Sequence, residues 1–396
     1  MFFIKNHLAI NKMKISRYTF FFHIDNVNYY TYNSLSNALI EIDEKTYFYL
    51  KENENKTELS DIALNKDAYN LLLKNGILTD NDEDDLLSYK DIIKKKRNQT
   101  KFMHLTLAPT MDCCFNCFET CKDRKYMSSE TIDSIIKYIQ NQINVIEIMI
   151  TWFGGEPLMA LEQMVEFNEK LSKIYPKSPN YHIITTGYHI DENVIEKLKN
   201  IGINSIQITI DGMKETHNKV KYLPDCNDVF SKVWNNIKLL HSLAANIKIT
   251  IRVNLTKGNI HEYKQLLKLF NETFTDKNNI VMAPSFVINR GTIHDNSKST
   301  LFTPKERSIH ILKLAHEGIY SPYIKYPNNS FAECAIRNNV AISFDPERYA
   351  YKCWEVIGDK KYAIGRLNSQ GELIELNKKN INRQLYGGRS IRRPHL

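Results

Sequence analysis

Four cysteines, Cys113, Cys114, Cys117 and Cys121, fall within nine positions in the run L-A-P-T-M-D-C-C-F-N-C-F-E-T-C that starts at Leu107. Thiols this crowded in a long chain without a secretory signal speak for metal or redox chemistry rather than a disulfide framework. Three thiolates from one short loop can hold three irons of a four-iron four-sulfur cluster and leave the fourth iron open to a small-molecule ligand. The pair Cys114-x2-Cys117 also has the spacing of a zinc knuckle. A second motif is F-G-G-E-P at 153–157. Its two glycines let backbone approach a ligand with no side chain between them, and their carbonyls can accept hydrogen bonds from an ammonium group. Taken alone, a glycine pair before proline is more often a plain turn.

These residues need elements to hold them. From residue 102, apolar runs at FMHLTLAP, IEIMITWF, YHIITTG, SIQITIDG, IKITIRVNL and IVMAPSFVI alternate with helical patterns. In one such helix Ser128 or Ser129 is the cap, and Ile132, Ile135, Ile136, Ile139 and Ile143 form one apolar face. Near-continuous apolar strands joined by crossover helices predict a parallel sheet that is covered on both faces or closed into a barrel. Functional residues then belong at the strands' carboxyl ends. Both motifs follow such strands directly.

Residues 1–95 read as a separate module. YTFFFHI (18–24) and NVNYYTYNSLSNALIEID (26–43) have the composition of strands joined by tight turns. Helical patterns follow at 44–51 and 67–74, the second stopped by Gly76. The polar runs NDEDD (81–85) and KKKRNQTK (94–101) read as the linker. At the other end, residues 301–396 read as a third, smaller unit. It holds the helical pattern TPKERSIHILKLAHEG and a β-hairpin turning at D-P-E-R (345–348), flanked by Cys334 and Cys353. Residues 1–12 read as an upstream extension from a miscalled start codon.

With 396 residues, 25% of them charged and 42% hydrophobic, the chain is neither a mini-protein nor a disordered one. The net charge of +8 is spread without long blocks, and no motif for nucleic acid, no membrane-length apolar run and no signal peptide is present, so a cytoplasmic location is expected.

The ordered set of a cysteine triplet after strand one, GGEP after strand two, T-T-G-Y (185–188) after strand three and T-I-D-G (209–212) after strand four resembles the radical S-adenosylmethionine (radical SAM) family. More narrowly, it resembles the peptide maturases that carry an auxiliary SPASM domain. The resemblance covers residues 102 to about 290. It implies an α/β fold: a partial (β/α)6 TIM-like barrel, with an N-terminal winged-helix-like domain and a small C-terminal β-hairpin remnant. It also implies a 4Fe-4S cluster whose open iron chelates S-adenosyl-L-methionine. One electron from a donor such as ferredoxin or flavodoxin cleaves that molecule to methionine and a 5'-deoxyadenosyl radical, which abstracts hydrogen from a ribosomally made precursor peptide or protein.

Carried over residue by residue, the resemblance makes Cys113 and Cys117 cluster ligands and has Gly154, Gly155 and Glu156 receive the methionine amino group. Thr186, Thr209, Arg252 and Asn254 fall where polar strand-end residues touch the nucleoside or carboxylate. The plain structural alternatives are an ion pair for Arg252 and a backbone-bonded hydroxyl for Thr209. Asp211 reads as an ordinary turn residue, His104, His182, His189 and His217 as structural, and Cys226 as a small buried hydrophobe.

The family spaces its ligands C-x3-C-x2-C with an aromatic residue before the third cysteine, whereas Glu119 and Thr120 stand at those places here. Three outcomes are open: Cys113 with Cys117 and Cys121, a shifted set with Cys114 as the alternate, or no stable cluster. The first is preferred, because thiolate suits iron better than a threonine hydroxyl. At the C-terminus Cys334 and Cys353 match the two ends of a SPASM motif, Arg348 replaces its glycine, and no cysteine follows Cys353. A truncated SPASM-like region is therefore expected. The N-terminal module resembles the element that captures a precursor leader by strand addition. Two other functions compete: a catalytically decayed leader-peptide binder and a zinc protein.

Overall fold

The computed structural model describes residues 13–23, 27–59, 64–80, 84–98, 101–115, 124–175, 177–287, 301–319 and 340–376. They form two units, one ending at Asn98 and one beginning at Lys101.

In the first unit β2 (Thr19–His23), β3 (Tyr29–Asn33) and β4 (Ala38–Ile42) make an antiparallel sheet. Cross-strand ring pairs Phe20–Tyr32 and Phe22–Tyr30, with centroids 6.4 and 5.6 Å apart, lie on one of its faces. The β3–β4 turn is set by Asn33, whose Oδ1 accepts from the amides of Leu35 and Ser36 at 2.9 Å. Helices α1 (Glu44–Asn53) and α2 (Lys66–Lys74) start where Asp43 and Asn65 cap them, and Gly76 at φ 70° follows the second.

Two features of this unit were not readable locally. The short β1 (Met13–Ile15) pairs with β5 (Leu78–Asp80), which is more than sixty residues away in sequence. The polar stretch taken for a linker is largely helix α3 (Asp85–Arg97). Its acidic start and basic end match the polarity of a helix dipole.

The second unit contains all six expected strands: β6 (Phe102–Leu107), β7 (Glu147–Trp152), β8 (Asn180–Thr185), β9 (Ile203–Ile210), β10 (Lys248–Leu255) and β11 (Ile280–Phe286). They are parallel neighbours in chain order. The connecting helices are α4 (Ser129–Gln140), α5 (Leu161–Ser172), α6 (Glu192–Ile201), α7 (Lys214–Val220), α8 (Val229–Leu243) and α9 (Tyr263–Thr273). Ser128 caps α4 as expected, but the helix ends at Gln140, so Ile143 is 90% exposed rather than on the apolar face.

The strands alternate instead of being apolar throughout. Leu105, Ile150, Ile183, Ile208 and Ile251 pack with Ile135, Phe167, Leu198 and Ile237 of the helices in one core. The opposite, helix-free face carries His104, Thr151, His182, Gln207, Thr209, Arg252 and Asn254. The sheet thus has an apolar face under the helices and a mostly polar opposite face, which corresponds to the concave side in a TIM-like arrangement.

The described C-terminal residues belong to the second unit. After α10 (Pro304–His316), β12 (Ala341–Phe344) pairs in parallel with β6, and β13 (Tyr349–Tyr351), β14 (Gly365–Leu367) and β15 (Leu373–Glu375) continue the same sheet. Cys353 is half-buried after β13, and Cys334 lies outside the described residues. The D-P-E-R turn does join a hairpin. The Asp345 carboxylate accepts from the amides of Glu347 and Tyr349 at 2.9 Å, and Arg348 is held at φ 72°. A side chain in the left-handed region costs about 1–2 kcal/mol. Arg348→Gly is therefore expected to stabilise the chain by about 0.5–1 kcal/mol once the greater entropy of glycine in the unfolded state is subtracted. A urea midpoint no higher than that of the parent chain would contradict this.

Candidate functional site

The cysteine run leaves β6 as a loop pinned at its base. Thr110 and Tyr126 form a bridge, the amide of Met111 donates to the Lys125 carbonyl at 3.0 Å, and the amide of Met127 donates to the Pro109 carbonyl at 2.8 Å. The loop that opens with Cys113 and Cys114 is therefore an excursion whose two described ends meet. Cys113 is buried and Cys114 is half-buried, while Cys117 and Cys121 lie outside the described residues. No group of three metal-ligating side chains is complete among the described residues.

The GGEP turn leaves β7 and lies directly against this loop. The amides of Gly155 and Glu156 donate to the carbonyls of Thr110 and Asp112 at 3.0 and 2.7 Å. A Cβ on Gly155 would stand 2.6 Å from the Asp112 carbonyl carbon, and one on Gly154, at φ 114°, would stand 2.7 Å from Ala108 Cβ. The glycines thus serve close approach of two backbones, a purpose the sequence reading had assigned to a ligand. Their own carbonyls accept no hydrogen bond from a described residue. Two main-chain acceptors at a strand end suit a ligand's ammonium group, and the soft donors of the adjoining loop suit iron, so the residues present fit both S-adenosylmethionine and an iron-sulfur cluster.

Glu156 differs from expectation. It is 0% exposed, and its Oε1 accepts from the amide of Leu158 at 3.0 Å and from Thr185 Oγ1 at 2.6 Å. Its Oε2 accepts from the amide and the hydroxyl of Thr186 at 2.9 and 2.6 Å. A carboxylate has about four acceptor positions, and all are used within the protein. Glu156 therefore ties the end of β8 to the GGEP turn and has no position left for an ammonium group. Thr186, expected at the ligand, is the other half of this tie. Thr185, which sequence reading missed, bonds Glu156 beside it. The signal available was its place in the same T-T-G-Y run.

Thr209 and Arg252 are register partners on β9 and β10. Arg252 Nε donates to Asn254 Oδ1 at 3.2 Å, and Asn254 Nδ2 donates to Asp211 Oδ1 at 3.0 Å. Asp211 is held further by Asn259, which donates to its carbonyl at 2.7 Å, and its own amide donates to His217 Nδ1 at 3.1 Å. Asp211 is thus the hub of a strand-end network rather than a bare turn residue. Tyr188 sets its ring edge on Phe115 of the cysteine loop, with centroids 5.7 Å apart, and burial together with the neighbouring Cys226 thiol raises its phenol above the ordinary value.

Burial holds the imidazole of His217 down to about 4, and burial likewise lowers His182 to about 4. Both bind fewer protons folded than unfolded between that value and about 6.5, so stability is lost as pH falls through this window and levels off below it. Each is expected to contribute about 3 kcal/mol to the loss. Urea unfolding at pH 7, 5.5 and 4 should show it, and His217→Gln should flatten the profile.

Residues 108–270 match the family model described as the radical SAM superfamily. Over that stretch the chain is similar to a radical SAM domain. Among curated proteins, the chain is 25% identical over 276 residues to the radical SAM cyclopropyl synthase TigE of Paramaledivibacter caminithermalis, covering 60% of this chain and 56% of TigE. It is 23% identical over 159 residues to the Fe-coproporphyrin III synthase of Methanosarcina barkeri, covering 40% of this chain and 38% of that protein. The matches thus span 38% and 56% of those relatives' lengths. The solved structure of native anSMEcpe with bound AdoMet and Kp18Cys peptide shares the fold at TM-score 0.54 and 18% identity, over 72% of this chain and 82% of that one.

Proposed function

We propose that this chain is a radical SAM enzyme that reductively cleaves S-adenosylmethionine at a 4Fe-4S cluster and modifies a ribosomally made peptide or protein by hydrogen abstraction. The observation that carries the reading is the clamp between the pinned cysteine loop and the GGEP turn, because it sets soft iron donors beside two main-chain acceptors with no hydrogen bond from a described residue. Cys113, Cys117 and Cys121 would hold the cluster, with Cys114 as the alternate ligand. When bound, the cluster supplies the electron that turns S-adenosylmethionine into methionine and a hydrogen-abstracting 5'-deoxyadenosyl radical.

The chain's own residues do the positioning. The Gly154 and Gly155 carbonyls would receive the methionine ammonium, and Glu156 fixes their height by holding Thr185 and Thr186. Arg252, oriented by Asn254, offers a cation to the carboxylate at the mouth of the concave face, and Thr209 stands opposite it. A peptide substrate is supported by the shared fold with anSMEcpe, whose structure holds a peptide, and by the aromatic sheet of the first unit, which we read as a winged-helix-like peptide-recognition element. An electron donor such as ferredoxin or flavodoxin and a cytoplasmic setting belong to the same reading. No helix among the described residues is long and apolar enough to cross a membrane.

Anaerobic reconstitution with iron and sulfide tests this. The expected result is a reducible four-iron cluster and 5'-deoxyadenosine formed after dithionite addition, both lost in Cys113→Ala. A colourless protein that takes up stoichiometric zinc, or one that binds iron but never yields 5'-deoxyadenosine, would overturn it.

A further inference from the structure

The concave face contains a polar row that the cofactor reading leaves unused. His104 Nε2 lies 3.1 Å from Thr151 Oγ1, and His182 Nδ1 lies 2.8 Å from Ser205 Oγ. Thr151 and His182 are register partners, as are His182 and Ser205, so the row crosses β6, β7, β8 and β9 in sequence. Both imidazoles are partly exposed on the helix-free side, and Trp354 sets its ring edge against His104 with centroids 6.4 Å apart. Its Thr151 member lies one residue before the end of β7, the strand that leads into the GGEP turn.

Its chemistry is specific. Every member is uncharged when the imidazoles are neutral, as burial favours, and each can both donate and accept a hydrogen bond. The nearest inward-facing carboxylate on these strands is Glu147, at the amino end of β7, and it is already paired with Lys177. On this face β10 carries two cations, Lys248 and Arg252, and no carboxylate. A lysine or arginine side chain placed here would lose its hydration with no counter-ion to replace it. An aliphatic one would displace water from the row's remaining hydrogen-bonding positions and supply no partner to replace it.

We infer that the His104–Thr151–His182–Ser205 row is the subsite that reads the modified residue, and that it takes a neutral polar side chain, a carboxamide or a hydroxyl. This rests on the proposed peptide-modifying reading and narrows its substrate class. Discrimination against an aliphatic side chain of similar size is about five-fold or more, the usual consequence of leaving buried polar groups unpaired.

Saturation-transfer NMR on the full chain tests it without cluster, S-adenosylmethionine or turnover, so its failure leaves the radical reading untouched. The probes are the N-acetyl amides of asparagine, serine, leucine and lysine. Asparagine and serine should show at least about five-fold greater saturation than leucine and lysine. His182→Leu should abolish that preference, and His182→Gln, which keeps a donor and an acceptor, should retain it. Equal or absent saturation for all four probes, stronger saturation for leucine or lysine, or a preference unchanged in His182→Leu would overturn the assignment. If His182→Leu does not fold, the wild-type ranking decides by itself.

Discussion

Gly155→Ala is expected to be the most damaging single methyl group in the barrel. The added carbon would meet the Asp112 carbonyl, and the neighbouring Met111 carbonyl carbon at 2.8 Å is also backbone, so nothing flexible can move aside. The loop carrying Cys113 must shift or the GGEP turn must detach. Overpacking of this kind costs about 1–3 kcal/mol, and a displacement near 1 Å at a reacting centre costs about 10²-fold in rate. Iron retained after anaerobic reconstitution and the rate of 5'-deoxyadenosine formation should therefore fall together. Gly258→Ala is the control, because its Cβ would meet its nearest neighbour at an ordinary 3.6 Å. A Gly155→Ala protein with parental iron content and thermal midpoint would remove the clamp from the account of the site.

Glu156→Gln is the second test, and the hydrogen-bond pattern makes it far from conservative. Each carboxylate oxygen accepts from a backbone amide, Oε1 from Leu158 and Oε2 from Thr186. Hydroxyls can rotate to become acceptors, but backbone N–H groups cannot. Either orientation of a glutamine amide therefore points NH2 at a fixed donor in a site with no water access. The loss should be about 1–3 kcal/mol for Glu156→Gln and larger for Glu156→Ala, which leaves all four donors unpaired. Thermal unfolding measures it directly. Binding of S-adenosylmethionine should weaken through displacement of the Gly154 and Gly155 carbonyls rather than through loss of a direct contact. Parental stability in Glu156→Gln would show that the four-donor tie carries no weight.

Much of the architecture was legible in sequence because it repeats a local rule. Apolar runs of strand length separated by helical periodicity gave all six barrel strands, and Ser128 and Gly76 marked helix ends by chemistry that acts over three or four residues. The same locality explains the failures. Helix α3 was hidden by its charge, since composition alone does not separate a solvated helix face from a linker. Ile143 continued a periodic pattern past the helix that had produced it. The alternation of polar and apolar residues was present in HLTL and IQITI, but the density of isoleucine masked it.

The candidate site divides in the same way. Residue type and spacing by themselves determined that a cysteine loop, a glycine pair and a row of strand-end polar residues lie at one edge of a parallel sheet, because that follows from order along the chain and from the rule that such sheets place loops at one end. Only the tertiary structure decided what those residues touch. It gave the glycines to a backbone clamp, closed Glu156 on Thr185 and Thr186, made Asp211 a hub, and carried β12 across to β6. The reason is physical: a contact between residues far apart in sequence depends on how several separately folded βα units stack, and no local pattern of side chains encodes the distance between them.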